Sequence, residues 1–363
     1  MGIKLPVNVA KFAGENQNVY AKFADYFNHY MDEVQGKNIG AYEKGVSFAE
    51  KEAKMNADLV AEINRVSGQT LPEGMSYAQF ASNPMVKWAS FAVVGMMIDT
   101  VLPQTIIKSV GVYTDIRNIG FGDSAVFDVN PRDLFTVSVA GRGQKQAHVQ
   151  KQFKTTKAIV PVNHQVTVGV SLYKVLAGQE SLAEFTRKAV IAMEREMTVD
   201  AYTALTTALE ASTMPSALKI TGYTQDALLT LCETVSAYNN GATATIVGTT
   251  KALSKILPAS ATMYSVIGDS HIQLVKDFFE YPILKLGQVA SNDGSFGLKL
   301  KDDRLYVIST SQDKLVKGVI EGSTLTNIDG AYDNADLSQN ATLNKSWNFE
   351  VITNSIAGSI TIS

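Results

Sequence analysis

The chain has 363 residues, 45% of them hydrophobic and 18% charged, which is a globular composition long enough for two or three domains. Its 35 acidic and 32 basic side chains give a net charge of −3, so any surface for an acidic partner must be local. The one cysteine, Cys232, excludes an intrachain disulfide and a cysteine-built zinc site, and its helical neighbours suggest a small buried thiol.

Residues 1–82 read as a helical arm. The N-terminus lacks the apolar core of a secretory signal, being interrupted by Lys4, Pro6 and Lys11. Tyr20, Phe23, Phe27 and Tyr30 fall at helical spacing. A second helix opens on a capping box, Ser47 with Glu50, and carries a thin stripe of Phe48, Met55, Leu59 and Ile63. A stripe that thin is expected to pack on another surface, such as a neighbouring chain.

Asn83–Pro84 marks a boundary. The apolar window Trp88–Ile98 predicts a buried helix, too short for a bilayer, which needs about 20 residues. It is expected to stop near Leu102–Pro103, with extended chain over 104–120. Residues 118–172 predict a long β excursion. Val137 and Val139, then Val166, Val168 and Val170, alternate with polar residues on either side of a Gly141-Arg142-Gly143 tip. A two-stranded ribbon alone is marginal in water and must lie on another surface. No Asp or Glu occurs from Leu134 to Gln179. Arg142, Lys145, Lys151, Lys154 and Lys157 are therefore the candidates for contact with acidic surface on a partner, and Gly141 and Gly143 for turn positions needing backbone freedom.

Residues 179–210 predict one helix of about 30 residues and roughly 45 Å. Ser181 and Glu184 form its capping box. Leu182, Phe185, Ala189, Ala192, Met193, Ala201 and Leu205 make its apolar stripe, and Arg187, Lys188, Glu194 and Arg195 its charged face. Residues 223–325 alternate short helices with strands, including one near Thr245, one at Arg304–Ser309 and one around Val316, and contain an Asp293–Gly294 turn. Two strand-like runs end the chain, separated by Ala357–Gly358.

Catalytic signals are missing from this pattern. There is no phosphate-binding loop, dinucleotide fingerprint, zinc-protease helix or nucleophile elbow. His29, His148, His164 and His271 are scattered, and the two on the ribbon read as solvent-facing strand residues. Asp269 and Ser270 read as a helix cap, and the acidic stretch Asp329–Asp336 as a solvated loop, since its glycine is misplaced for a calcium loop. No catalytic residue, metal ligand or cofactor is expected.

The order of parts resembles the major capsid proteins of tailed bacteriophages, the HK97-like fold, to which encapsulins are related. The resemblance is carried by the ribbon 118–172 running into QESLAEFTRKAVIAMEREMTVDAYTAL and by the strand-then-helix phrase TIVGTTKALSKIL. It implies an α+β fold with an N-terminal arm (1–82), a first part of the P-domain (83–117), an E-loop hairpin (118–178), a spine helix (179–222), an A-domain (223–325) and returning P-domain strands (326–363). It also implies a non-enzymatic protein that assembles with copies of itself in hexamers and pentamers into an icosahedral shell. Scaffolding, portal and decoration proteins would be its partners, and double-stranded DNA would be enclosed without sequence specificity. No membrane is involved, and synthesis would be in the host bacterial cytoplasm. Some relatives crosslink a ribbon lysine to a neighbour's asparagine, but no residue here marks such a bond. The alternatives are an encapsulin-like nanocompartment and an enzyme with an unrecognised site in 223–325. A nucleic-acid-binding ribbon is less well supported, because Phe135, Phe153 and Tyr173 are the only aromatics between 134 and 179.

Overall fold

A computed structural model describes residues 17–37, 47–129, 154–212, 214–256, 277–291, 296–310, 313–328, 339–353 and 355–362. Two helices open it, α1 (Gln17–Val34) and α2 (Phe48–Ser67). The Ser47–Glu50 capping box forms as expected, and Gly68 ends α2 in the left-handed conformation that glycine adopts without strain. A short α3 (Tyr77–Ala81) leads into α4 (Pro84–Val110), which starts on Asn83 as N-cap with Pro84 in its first turn.

The α4 helix runs well past the expected stop at Pro103. Proline there removes the amide that would bond the carbonyl of Asp99, one turn back. The helix continues because Leu102, Pro103, Ile106 and Val110 are all buried, and that packing outweighs one lost bond. The extended segment shrinks accordingly to strand β1 (Thr114–Ile119). By length and composition α4 could cross a membrane, but it is packed into the protein core.

Next come β2 (Ala125–Val129) and β3 (Thr155–Ile159), an antiparallel pair, then β4 (Val162–Val170) and α5 (Leu172–Leu176). The long helix, α6, spans Leu182–Leu209, with Ser181 accepting from the amide of Glu184. After it come β5 (Lys219–Thr221), α7 (Gln225–Tyr238), β6 (Ala244–Thr249), α8 (Thr250–Leu253), β7 (Asp277–Phe278) and β8 (Tyr281–Leu286). The chain closes with β9 (Arg304–Ser309), β10 (Val316–Glu321), β11 (Leu325–Ile328), β12 (Gln339–Val351) and β13 (Gly358–Thr361).

The strands form two sheets besides the β2–β3 pair. The body sheet runs β1-β10-β12-β11, with β4 on the other side of β12. The second sheet runs β5-β13-β9-β6-β8-β7. This differs in detail from a division at 223–325. Strand β10 leaves that block to pair in parallel with β1 and antiparallel with β12, while the terminal β13 enters it between β5 and β9. Such pairings are set by long-range packing, which strand periodicity cannot show. Two glycines permit the closest approaches. A side chain at Gly318 would meet the Phe349 ring of β12, and one at Gly358 would meet the Leu218 carbonyl.

The main core lies between the body sheet and α4 with α6. Val94, Met97, Ile98 and Leu102 of α4 meet Val190, Met193, Met197 and Leu205 of α6, with Val316, Leu343 and Trp347 beneath. The arm helices belong to the same core through Tyr20, Phe23, Phe27, Leu59 and Ile63. The other surface that the thin stripe was expected to need is, for the described part of the arm, the subunit's own core. Its stripe is thin because α2 lies in the angle between its own α4 and α6, and Asn56 of α2 bonds the Ala183 amide and the Ser181 hydroxyl at the start of α6.

Candidate functional site

Gly141, Gly143, Arg142, Lys145, Lys151 and His148 of the ribbon lie outside the described residues, as do Asp269, Ser270, His271, the Asp293–Gly294 turn and the Asp329–Asp336 stretch. The root of the ribbon is described, and it has a small core of its own. Ala125, Phe127 and Ile159 face Val319 of β10 and Ile352. Phe127 is buried, with the Arg117 guanidinium 4.2 Å above its ring. Arg117 Nη1 also donates to the Val126 carbonyl at 2.8 Å, and Asn348 Nδ2 of β12 donates to the Val160 carbonyl at 3.0 Å. These contacts fix the direction in which the strands leave the body. Beyond the root, β4 returns to pair with β12 in the register Val162 to Trp347 through Val170 to Gln339, so the second half of the predicted excursion is body sheet.

Lys154 and Lys157 point to acids of their own chain. Lys154 Nζ is 2.6 Å from Asp128 Oδ2 across the hairpin, and Lys157 Nζ is 2.6 Å from Glu350 Oε2 on β12. The acid-free stretch therefore draws on carboxylates just outside itself. Both lysines remain about half exposed, and such pairs contribute about 0–1 kcal/mol each.

Beside the root lies a concavity of about 500 Å³ between α6 and β12. Val162, Ala204, Ala208 and Trp347 supply its apolar lining, and Lys157 and Glu350 its charged rim. His164 is not simply solvent-facing. It stacks flat on Trp347, with ring centres 3.8 Å apart and planes 3° apart. Trp347 Nε1 donates to Asp200 Oδ2 at 2.7 Å, and His164 Nε2 lies 3.5 Å from the same oxygen. The register partner of His164 is Lys345, two residues short of Trp347, so the stack runs diagonally across the strands.

The charged face assigned to α6 is corrected at Arg187, which is buried. Its guanidinium lies 3.8 Å from the Tyr30 ring centre and 5.4 Å from that of Phe48, and Nη1 donates to the Tyr26 hydroxyl at 2.9 Å. Glu52 and Glu184 stand 3.8 and 3.9 Å away. The available signal was the aromatic triplet Tyr26, Tyr30 and Phe48 in the arm, a seat for a cation. Phe185, expected in the core, is only partly buried. Glu194 turns toward α4 and accepts from Ser109, and burial raises its carboxyl pKa. A second buried cation went unnoticed. Lys345 of β12 is fully enclosed and paired with Asp99 of α4, whose Oδ2 also accepts from the Thr324 amide at 3.0 Å.

Among the described residues no group of acids, histidines and cysteine is arranged to hold a metal ion. What the described residues offer is surface: a fixed hairpin root and a concavity beside it. A family model described as SPbeta prophage-derived capsid protein YonB matches residues 27–361. The chain belongs to the YonB family of capsid proteins. No curated protein matches the sequence. Among solved structures, the mature capsid of bacteriophage PhiM1 is similar over 69% of this chain and 86% of that one, at 11% identity and a TM-score of 0.48. The capsid of an empty GTA particle is similar over 70% and 96%, at 10% identity and 0.45. A virus-like particle from Pyrococcus furiosus is similar over 71% and 95%, at 12% identity and 0.41. As a member of the YonB family the chain is a capsid protein, a structural part of a viral shell.

Proposed function

We propose that this capsid protein builds an icosahedral head from hexamers and pentamers in the HK97-like manner, enclosing double-stranded DNA without reading its sequence. In this reading the body sheet with α4 and α6 is the P-domain, the second sheet with α7 is the A-domain, and the β2–β3 ribbon is the E-loop. The observation that carries it is the ribbon root. A subunit whose body is closed by its own core also anchors, through Phe127, two strands joined by 24 residues of sequence, 130–153. A buried anchor that sets the direction of β2 and β3 suits a connection that meets something fixed beyond the body. In this reading its partners are a scaffolding protein and a portal, with decoration proteins as an optional addition, and synthesis takes place in the host cytoplasm.

The test is electron microscopy of particles from cells expressing the chain, alone and with the neighbouring genes of its prophage. Closed shells with five-fold vertices and nuclease-protected DNA after infection or induction are expected. Closed shells that enclose protein cargo and never DNA would replace the phage head with a nanocompartment.

A further inference from the structure

An edge strand offers unpaired amides and carbonyls to any extended chain that reaches it. The β4 strand is the longest such edge among the described residues. It pairs with β12 over nine residues, Val162 to Val170, and no described strand pairs with its other side. Apart from β12, which is paired on both sides, every other described strand has six residues or fewer. Several of those carry the charges by which proteins protect an edge, such as Asp115 and Arg117 in β1, Asp128 in β2 and Lys157 in β3. The β4 strand has no Lys, Arg, Asp or Glu and no proline.

The side chains of β4 also show an unfinished sheet. Alternation puts His164, Val166 and Val168 on the face of β12 that carries their register partners Lys345, Leu343 and Ala341. Those three partners are fully buried, but Val166 and Val168 are only partly buried, and Val162 is more than half exposed. Asn163, Gln165, Thr167 and Gly169 lie on the other face and are exposed. One added strand would satisfy the open backbone of β4 and cover its valine row together.

We propose that the strand completing this sheet is β4 of a second copy, running antiparallel across a two-fold axis. The proposal deepens the shell reading and rests on it, since it needs neighbouring copies. Charge selects the occupant. Self-pairing brings a strand's charges against their own kind, so a single lysine or glutamate on β4 would oppose it, and there is none. A charged segment, by contrast, would find no counter-charge along the strand. The valine row sets the register, because a slip of one residue would turn it to the wrong face. Full overlap with the row kept on one face centres the pair on Val166. Val162 then lies opposite Val170, His164 opposite Val168 and Gln165 opposite Thr167 across the axis. Such an isologous contact closes at two copies, so it joins subunits in pairs and leaves ring formation to other surfaces.

Charge placed at Gln165 tests the occupant as well as the site. Gln165 is exposed, and across the axis it lies diagonal to its own counterpart, roughly 7–8 Å away and within reach of a long side chain. At low salt, Gln165→Lys and Gln165→Glu are each expected to lower particle yield about tenfold, because the repulsion recurs at every pair in a shell. The melting temperature of the unassembled subunit should not change. Mixing the two variants in equal amounts is expected to restore yield, since opposite charges then meet across the axis. In a second measurement, Gln165→Cys particles treated with a short bismaleimide should give linked pairs and nothing larger, the one native thiol, Cys232, being buried. That crosslink decides the matter if a charged variant fails to fold. Full assembly of both charged variants, or no linked pairs from assembled Gln165→Cys, overturns the contact and leaves the shell reading standing. Loss of particles that mixing does not restore, or loss with one sign of charge only, shows that a different segment covers β4 and overturns the self-pairing. A wild-type chain that forms no particles under any condition defeats the shell reading, and the contact with it.

Discussion

The cations of the body and those of the ribbon root are held in opposite ways. Arg187 and Lys345 are enclosed. Arg187 lies among three aromatic rings and two carboxylates, and Lys345 against Asp99 between helix and sheet. Lys154 and Lys157 each face one carboxylate and remain half in water. Coulomb attraction is several-fold stronger away from solvent, but so is the penalty for an unpaired charge. The body cations are therefore structural parts whose loss the fold feels, and the root cations are adjustable surface. Electrostatic assembly can draw only on the second kind, because a cation committed to the core is not available to a neighbour.

The sharpest way to break this comparison is at Asp99. Asp99→Ala leaves the Lys345 ammonium without its carboxylate in the core and should cost about 3–5 kcal/mol. That is a large share of a typical stability of about 5–15 kcal/mol, so soluble yield should fall steeply. Combining it with Lys345→Met should recover most of the loss, since a well-packed apolar pair can match a buried ion pair. Thermal unfolding of the unassembled double variant is the measurement. A double variant as unstable as Asp99→Ala would mean that packing around Thr324, and not charge, is what Asp99 supplies.

At Arg187 the comparison can be tested against its own helix. Arg187→Glu puts a carboxylate beside Glu52 and Glu184 and removes the cation from the aromatic seat. A loss of about 3 kcal/mol is expected. Phe185→Ala, two residues away, should cost roughly half of the 3–5 kcal/mol typical of a fully buried ring, because Phe185 is only partly buried. If Phe185→Ala proves the more damaging of the two in urea titrations, Arg187 is a surface residue in solution.

A third test uses pH where the end of α6 meets the second sheet. Burial raises the pKa of Glu210, at the end of α6, but Lys301 and Tyr306, with Arg304, outweigh burial and hold the carboxylate below its ordinary value of 4.5. A carboxylate held low in the folded state contributes its stability above about pH 4.5, and that contribution is lost as pH falls through the lower folded value. The melting temperature should therefore drop more steeply below pH 4.5 in the wild type than in Glu210→Gln. Parallel curves would show that Glu210 is not coupled to the fold.

Much of this arrangement was legible in the sequence. The Ser47–Glu50 box, the Asn83–Pro84 start and the span of the long helix are local signals, and each local signal carries its own boundary. What escaped depends on contacts distant in sequence. Whether α4 survives Pro103 is decided by what buries Ile106 and Val110. Whether β10 joins β1 or β6 is decided by a sheet assembled from both ends of the chain. The side assigned to Arg187 failed for the same reason. Seen on its own helix it is a charge among charges, and its seat is built by Tyr26, Tyr30 and Phe48, more than 130 positions earlier. The candidate site was legible only as a stretch of unusual charge. Its concavity arises where α6 and β12 meet, and the stack of His164 on Trp347 joins residues that no spacing connects.

The smallest effect is expected at the ribbon root, and its smallness is informative. Lys154→Glu and Lys157→Glu each break one half-exposed pair and place like charges near Asp128 and Glu350. Exposed pairs contribute about 0–1 kcal/mol, so the melting temperature of the unassembled double variant should move by only a few degrees. Particle yield is a separate quantity, because every subunit contributes the same contact and small losses accumulate over a shell. If Lys154 and Lys157 serve assembly, the double variant should keep its fold, lose particles and regain some yield at high salt, which screens exposed repulsion. Loss of the fold itself would put these lysines with Arg187 and Lys345, as body cations. Normal particles from a normally folded double variant would confine the role of the pair to fixing the hairpin against Asp128 and Glu350, and would leave Arg142, Lys145 and Lys151 as the ribbon cations still to be tested.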